Sequence, residues 1–125
     1  MTDKKSVLIA EDDEPVRRVI KNELEKAGIK VIEAQNGEEA LAISLNEHPS
    51  LILLDVLMPK MHGMEFLRKL HDDEWGKSAR VILLTNFAED PRVLEAVKEG
   101  RCGLLNKAET RLEDVVAKIK EKIGA

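Results

Sequence analysis

Five short apolar runs recur along this chain, each followed by a stretch with helical spacing, and few folds satisfy that alternation. Val7-Leu8-Ile9-Ala10 is the first run. Glu14 to Ala27 then places Val16, Val19, Ile20, Leu24 and Ala27 on one helical face, and Gly28 stops it. Val31 to Ala34 reads as a second strand, followed by Asn36-Gly37 and a helix carrying Ala40, Leu41 and Leu45 that ends at His48-Pro49. Leu51 to Leu54 is a third strand, and Met64 to Leu70 forms the core of a third helix. Val81 to Thr85 is a fourth strand; Pro91 opens a fourth helix, where its missing N–H costs little, and Gly100 closes it. Leu104-Leu105 is a short fifth strand. Thr110-x-x-Glu113 spells a capping box before a last helix with Leu112, Val115, Val116, Ile119 and Ile123 on one face. Strands alternating with helices in this way predict an α/β fold, a doubly wound five-stranded parallel sheet with five helices covering both faces.

In such a sheet, ligands sit beyond the carboxyl ends of the strands. Glu11, Asp12, Asp13 and Glu14 follow the first strand, Asp55 the third, Thr85 and Asn86 end the fourth, and Asn106 and Lys107 end the fifth. Asp55 stands out because it closes the run Leu51-Ile52-Leu53-Leu54 and is followed by Val56, Leu57 and Met58. A carboxylate at the end of a buried strand costs several kcal/mol unless something pairs with it. With neighbouring strands about 5 Å apart, Glu11, Asp12 and Asp55 converge. Like charges 4 Å apart repel by roughly 4 kcal/mol per pair at an effective dielectric near 20. A divalent cation relieves that repulsion, and a few hard oxygen ligands with room for water and phosphate suit Mg²⁺. Lys107 and Thr85 would then supply an ammonium and a hydroxyl to a phosphoryl group, with Asp55 as the nucleophile forming an acyl phosphate.

Composition narrows the alternatives. The 125 residues, 43% of them apolar, suffice for one core and predict one domain over residues 1–125. A net charge of −4, with one Trp, two Phe and no Tyr, disfavours a nucleic-acid partner. The single Cys102 excludes an internal disulfide. The sequence contains no apolar run of membrane-spanning length and MTDKKS lacks a signal-peptide core, which predicts a cytoplasmic protein without a membrane partner.

The segments VLIAEDDEP, LILLDVLMPKMHGMEFL, VILLT and GLLNK resemble a receiver domain of two-component response regulators, of the chemotaxis type, over essentially the whole chain. The spelling D-x-x-M-P-x-x-x-G-x-E, from Asp55 to Glu65, carries the resemblance most specifically. It implies a (βα)5 flavodoxin-like receiver fold, with Asp55 as phosphoacceptor. It further implies Glu11, Asp12, Asp55 and the backbone carbonyl of Leu57 as ligands of Mg²⁺ (or Mn²⁺), Thr85 as switch hydroxyl and Lys107 as the phosphate-contacting lysine. Asp13 can instead begin the first helix, near its positive dipole end. The implied partners are a sensor histidine kinase or histidine phosphotransfer protein and a downstream protein effector. A monomer or a weak phosphorylation-dependent dimer is expected, and the chain's end soon after the fifth helix suggests either a stand-alone regulator or a segment of a longer chain.

Three departures from the family pattern matter. Lys107 is followed by Ala108 where proline, often cis, is usual; a cis bond here would cost about 3 kcal/mol, so either a trans peptide with a rearranged loop or a strained bond is expected. Leu104 replaces the usual aromatic switch residue. The resemblance implies that the side chains at Leu57 and Phe87 border the path of hydrolytic water, where two apolar groups offer nothing to orient it, and Asn86 is larger than the family's usual small residue, so slow autodephosphorylation is expected. His48, His62 and His71 are read as surface residues, Cys102 as a buried filler, Trp75 as packing over a sheet edge, and Met58, Met61 and Met64 as packing near the site.

Two other functions compete. A haloacid-dehalogenase-type phosphatase also uses an aspartate nucleophile and Mg²⁺, but wants a second aspartate where this chain has Leu57. A degenerate receiver would bind partners without phosphorylation; Ala108 and Leu104 favour it, and the intact acids, Thr85 and Lys107 oppose it.

Overall fold

A computed structural model describes residues 5–58 and 60–124. Among them, five parallel strands form one sheet: β1 (Ser6–Ala10), β2 (Lys30–Ala34), β3 (Leu51–Asp55), β4 (Val81–Thr85) and β5 (Gly103–Asn106), in the order β2-β1-β3-β4-β5. Between and after them run α1 (Glu14–Lys26), α2 (Gly37–Glu47), α3 (Gly63–His71), α4 (Pro91–Lys98) and α5 (Leu112–Ile123), with a 3₁₀ turn at Gly76–Ser78. This is the doubly wound parallel sheet that the alternation predicts, in the flavodoxin-like arrangement that the resemblance implies.

β3 and β4 are buried along their whole length, and their side chains alternate between two apolar layers. Leu8, Ile52, Leu54, Val81 and Leu83 face the layer of Ala40, Phe66, Leu67, Leu70, Val93 and Ala96 from α2, α3 and α4. Val7, Ile9, Leu51, Leu53, Ile82 and Leu84 face Ile20, Leu24, Val115, Val116 and Ile119 from α1 and α5. The order places the switch point between β1 and β3, where successive connections leave in opposite directions and open a crevice at the carboxyl edge. Glu11 and Asp55 emerge at that crevice.

The helix boundaries follow local chemistry, with some departures from the sequence reading. Asp13 caps α1, its side chain accepting from the Val16 N–H; Asn36 caps α2 through Glu39 N–H; and Asp90 caps α4 through Arg92 N–H, with Pro91 next in line. The Thr110 capping box does not form: α5 starts one residue later than that spelling implies, with Arg111 at its N-cap and no side-chain cap. Val19 and Leu45 belong to the exposed faces of α1 and α2, which leaves Ile20 and Leu24 to anchor α1, and Ala40 and Ser44 to anchor α2. His62 caps α3, accepting the Met64 N–H at Nδ1, and His71 is half-buried, so neither is a simple surface residue. Exposed His48 adopts the left-handed conformation that ends α2 and stacks on Trp75 with ring centres 4.3 Å apart. Trp75, Cys102 and Met64 are half-buried against the α2–α3–α4 layer, of which Met58 and Met61 are buried members.

Gly76 fits only as glycine, because a Cβ there would lie 1.8 Å from the Leu70 carbonyl oxygen. Gly76→Ala is expected to destabilise the fold by about 2 kcal/mol, read as a lower urea midpoint at unchanged slope.

Candidate functional site

Glu11, Asp12 and Asp55 meet at the carboxyl edge, each offering one carboxylate oxygen within 4.8 Å of the others. Glu11 is 1% and Asp55 8% exposed, whereas Asp12 faces solvent. Burial pushes the Glu11 carboxyl above its ordinary value; the Lys107 hydrogen bond and the Asp13 N–H oppose this, and the Asp55 charge adds to it. Asp55 is likewise raised by burial, against the Lys107 charge and the Leu57 N–H.

Lys107 answers part of that strain. Its Nζ donates to both Glu11 oxygens, at 2.8 and 3.0 Å, and to Asp55 Oδ2 at 3.3 Å. Burial works against the ammonium, but its bonds to Glu11 and the Asp55 charge outweigh it and raise the lysine's pKa. The other Asp55 oxygen accepts from Leu57 N–H at 3.2 Å. Three hard carboxylate oxygens within 4.8 Å of one another suit a small divalent cation, which completes its shell with water or phosphate oxygens.

Thr85 sits one residue beyond Leu84, the register partner of Asp55, and is fully buried. It continues the Val81–Leu83 series toward the α2–α3–α4 layer, and its hydroxyl accepts the Phe87 N–H at 2.9 Å. The structure therefore joins Glu11, Asp12, Asp55 and Lys107 directly and sets Thr85 on the adjoining strand end. Leu57 and Phe87 are half-exposed beside the crevice, and Asn86 faces solvent. No peptide bond among the described residues is cis, so Lys107–Ala108 is trans, and Lys107 still reaches both acids.

The loop that carries Asp55 is held by close packing. Gly63 N–H donates to Val56 carbonyl at 2.8 Å, and a Cβ on Gly63 would come 2.9 Å from Val56 Cα. This gives a physical reason for glycine at that place in the D-x-x-M-P-x-x-x-G spelling. Pro59 itself lies outside the described residues.

Arg17 escaped the sequence reading. It is mostly buried, donates from Nη1 to the Glu11 carbonyl at 2.7 Å and from Nε to Glu33 at 2.9 Å, and so ties α1 and β2 to the acidic segment. Its cue was an arginine on the inward side of α1 one turn past Asp13, facing an acid on β2. Burial would raise the Glu33 carboxyl, but Arg17 and Lys21 together hold it below its ordinary 4.5. A carboxyl depressed by folding stabilises the protein above about pH 4.5, and that contribution is lost as the pH falls through its folded pKa. Glu33 is one-third exposed, so screening limits the effect: Glu33→Gln is expected to cost under about 1 kcal/mol at pH 7 and progressively less as the pH falls below about 4.5, by urea titration.

Comparison with known proteins defines the class. Residues 7–120 match the response regulator receiver domain, and the chain belongs to that family. It is 34% identical over 116 residues to the phosphate regulon transcriptional regulatory protein PhoB of Pseudomonas aeruginosa, covering 93% of this chain and 50% of PhoB. The chain thus spans about half the length of that relative. It is 36% identical over 98 residues to the polar-differentiation response regulator DivK of Brucella ovis, covering 78% of this chain and 79% of DivK. Among solved structures, the chemotaxis response regulator CheY4 of Vibrio cholerae superposes with a TM-score of 0.84 at 27% identity, covering 96% and 99% of the two chains. The Francisella response regulator 1452 receiver domain gives 0.84 at 25%, covering 97% and 98%. The chain is accordingly a two-component signalling domain, of a family whose general role is to accept a phosphoryl group. Among the described residues no helix is long and apolar enough to cross a membrane.

Proposed function

We propose that Asp55 accepts a phosphoryl group from a histidine kinase or histidine phosphotransfer protein, and that the phosphorylated state changes affinity for a protein effector. The observation that carries this reading is the convergence of three carboxylates within 4.8 Å, with Lys107 bonded to two of them. An Asp55 oxygen attacks phosphorus, the donor P–N bond breaks, and the electron pair leaves with the imidazole nitrogen. Glu11, Asp12, Asp55 and the Leu57 carbonyl would hold Mg²⁺ (or Mn²⁺), which supplies charge neutralisation at the phosphoryl oxygens. Lys107 contributes an ammonium and Thr85 a hydroxyl proton to the same oxygens, a proton left free while the hydroxyl oxygen accepts the Phe87 N–H.

Leu104 packs against the α2–α3–α4 layer and is an aliphatic side chain, so it cannot swing as an aromatic ring would. Signalling then rests on Thr85 and on the face built from α4, β5 and α5. Half-exposed Leu57 and Phe87 support slow hydrolysis of the acyl phosphate, since neither can orient water. Leu57→Asn is expected to speed the decay about tenfold by giving water a hydrogen-bond partner. Time-resolved mass spectrometry reads that decay; an unchanged rate would remove Leu57 from the account.

Phosphoramidate, which carries the P–N bond of a phosphohistidine, tests the reading as a whole. Borohydride reduction and peptide mapping after the reaction should place the modification at Asp55. Modification elsewhere, or none, would contradict it.

A further inference from the structure

Nothing apolar holds the segment that presents Lys107. Leu105 and Leu112 pack into the α1–α5 layer, but no residue between them joins either core, and Ala108 and Glu109 face solvent. The segment is fixed instead by three hydrogen bonds. Lys107 N–H donates to Thr85 carbonyl at 2.8 Å, Glu109 N–H to Asn106 carbonyl at 3.2 Å, and Ala108 N–H to the Asn106 side-chain oxygen at 3.0 Å. The last bond exists only because residue 108 has an N–H, which a proline would lack.

We infer that Asn106 is a positioning residue for phosphoryl transfer: its side chain closes the turn through Ala108 N–H and thereby aims Lys107 at Glu11 and Asp55. The lysine reaches Glu11 at 2.8 Å and Asp55 at 3.3 Å from a backbone whose immediate neighbours, Asn106 and Ala108, join neither apolar layer, so the turn sets where the ammonium lies. This rests on the proposed role of Asp55. A flexible lysine stem would otherwise sample many rotamers, and a displacement of about 1 Å at a transferring group can cost up to 100-fold in rate.

The test compares Asn106→Leu, of similar size but without the acceptor, with Asn106→Asp, which keeps it. Acetyl phosphate supplies the phosphoryl group, and Mg²⁺ affinity is measured separately by calorimetry. Asn106→Leu is expected to slow phosphorylation about tenfold while Mg²⁺ affinity changes less than about twofold, because Asn106 touches none of the three carboxylates. Asn106→Asp should recover most of the rate. Equal rates for Asn106→Leu and wild type, or parallel losses in rate and Mg²⁺ affinity, would overturn the positioning role. Failure of Asn106→Asp to recover any rate would also overturn it. Wild type that takes up no phosphoryl group would instead remove the underlying reading of Asp55.

Discussion

Asp55→Asn is expected to take up no phosphoryl group from acetyl phosphate at any Mg²⁺ concentration, and to unfold at a higher temperature than wild type. Both effects come from the same substitution of an amide for a buried carboxylate. The amide oxygen can still accept the Leu57 N–H, but it is too weak a nucleophile to attack phosphorus. Lys107 is not orphaned, because both Glu11 oxygens remain bonded to it. What disappears is one of two buried acids that crowd a single lysine, each raised by burial above its ordinary pKa. Relief of that crowding should stabilise the fold by about 1 kcal/mol and raise the melting temperature by a few degrees. A lower melting temperature would mean that the Lys107–Asp55 pair contributes more than its desolvation costs.

Asp12→Asn is expected to weaken Mg²⁺ binding on the order of 100-fold while leaving the fold intact. Asp12 is the exposed member of the three converging acids, so its loss removes one full negative charge from the cluster and uncovers no cavity. Glu11, by contrast, is buried under Lys107, and changing it would also disturb the lysine. Asp12 therefore isolates the ligand role. Calorimetric titration with Mg²⁺ and, in parallel, with Mn²⁺ reads the loss; equal affinity for Asp12→Asn and wild type would remove Asp12 from the site. Phosphorylation at a Mg²⁺ concentration that saturates wild type should fall with the affinity and recover partly at higher concentration.

Much of this was legible in the chain because the relevant signals are local and periodic. Continuous apolar runs as short as Leu51–Leu54 and Val81–Leu84, alternating with stretches of helical spacing, read as strands buried on both faces, and that implies helices on both sides. Asp55 was conspicuous for the same reason: a charge at the end of such a run demands an explanation. The convergence of Glu11 and Asp12 with it followed from the rule that ligands gather at the carboxyl edge.

What sequence reasoning missed was set by tertiary contact. The Thr110 capping box has the right letters, yet the chain enters α5 at Arg111, because Leu112, Val115 and Val116 settle the helix against the α1 layer and outweigh the cap. Arg17 looked like one more charge on a charged helix; its role depends on Glu33 sixteen residues away and on a backbone carbonyl. Asn106 was visible at a strand end, but its partner is the N–H of Ala108, a bond that only the folded turn makes evident. His62 and His48 likewise take their roles from a helix start and from Trp75, neither of which leaves a periodic trace.

The central claim is that Asp55 is a metal-dependent phosphoacceptor. Intact-protein mass spectrometry after incubation with acetyl phosphate, with and without Mg²⁺, for wild type beside Asp55→Asn, tests it most directly. The account predicts a gain of one phosphoryl group in wild type with Mg²⁺, little without it, and none in the variant. An equal gain in Asp55→Asn, or no gain in wild type under any condition, would contradict it.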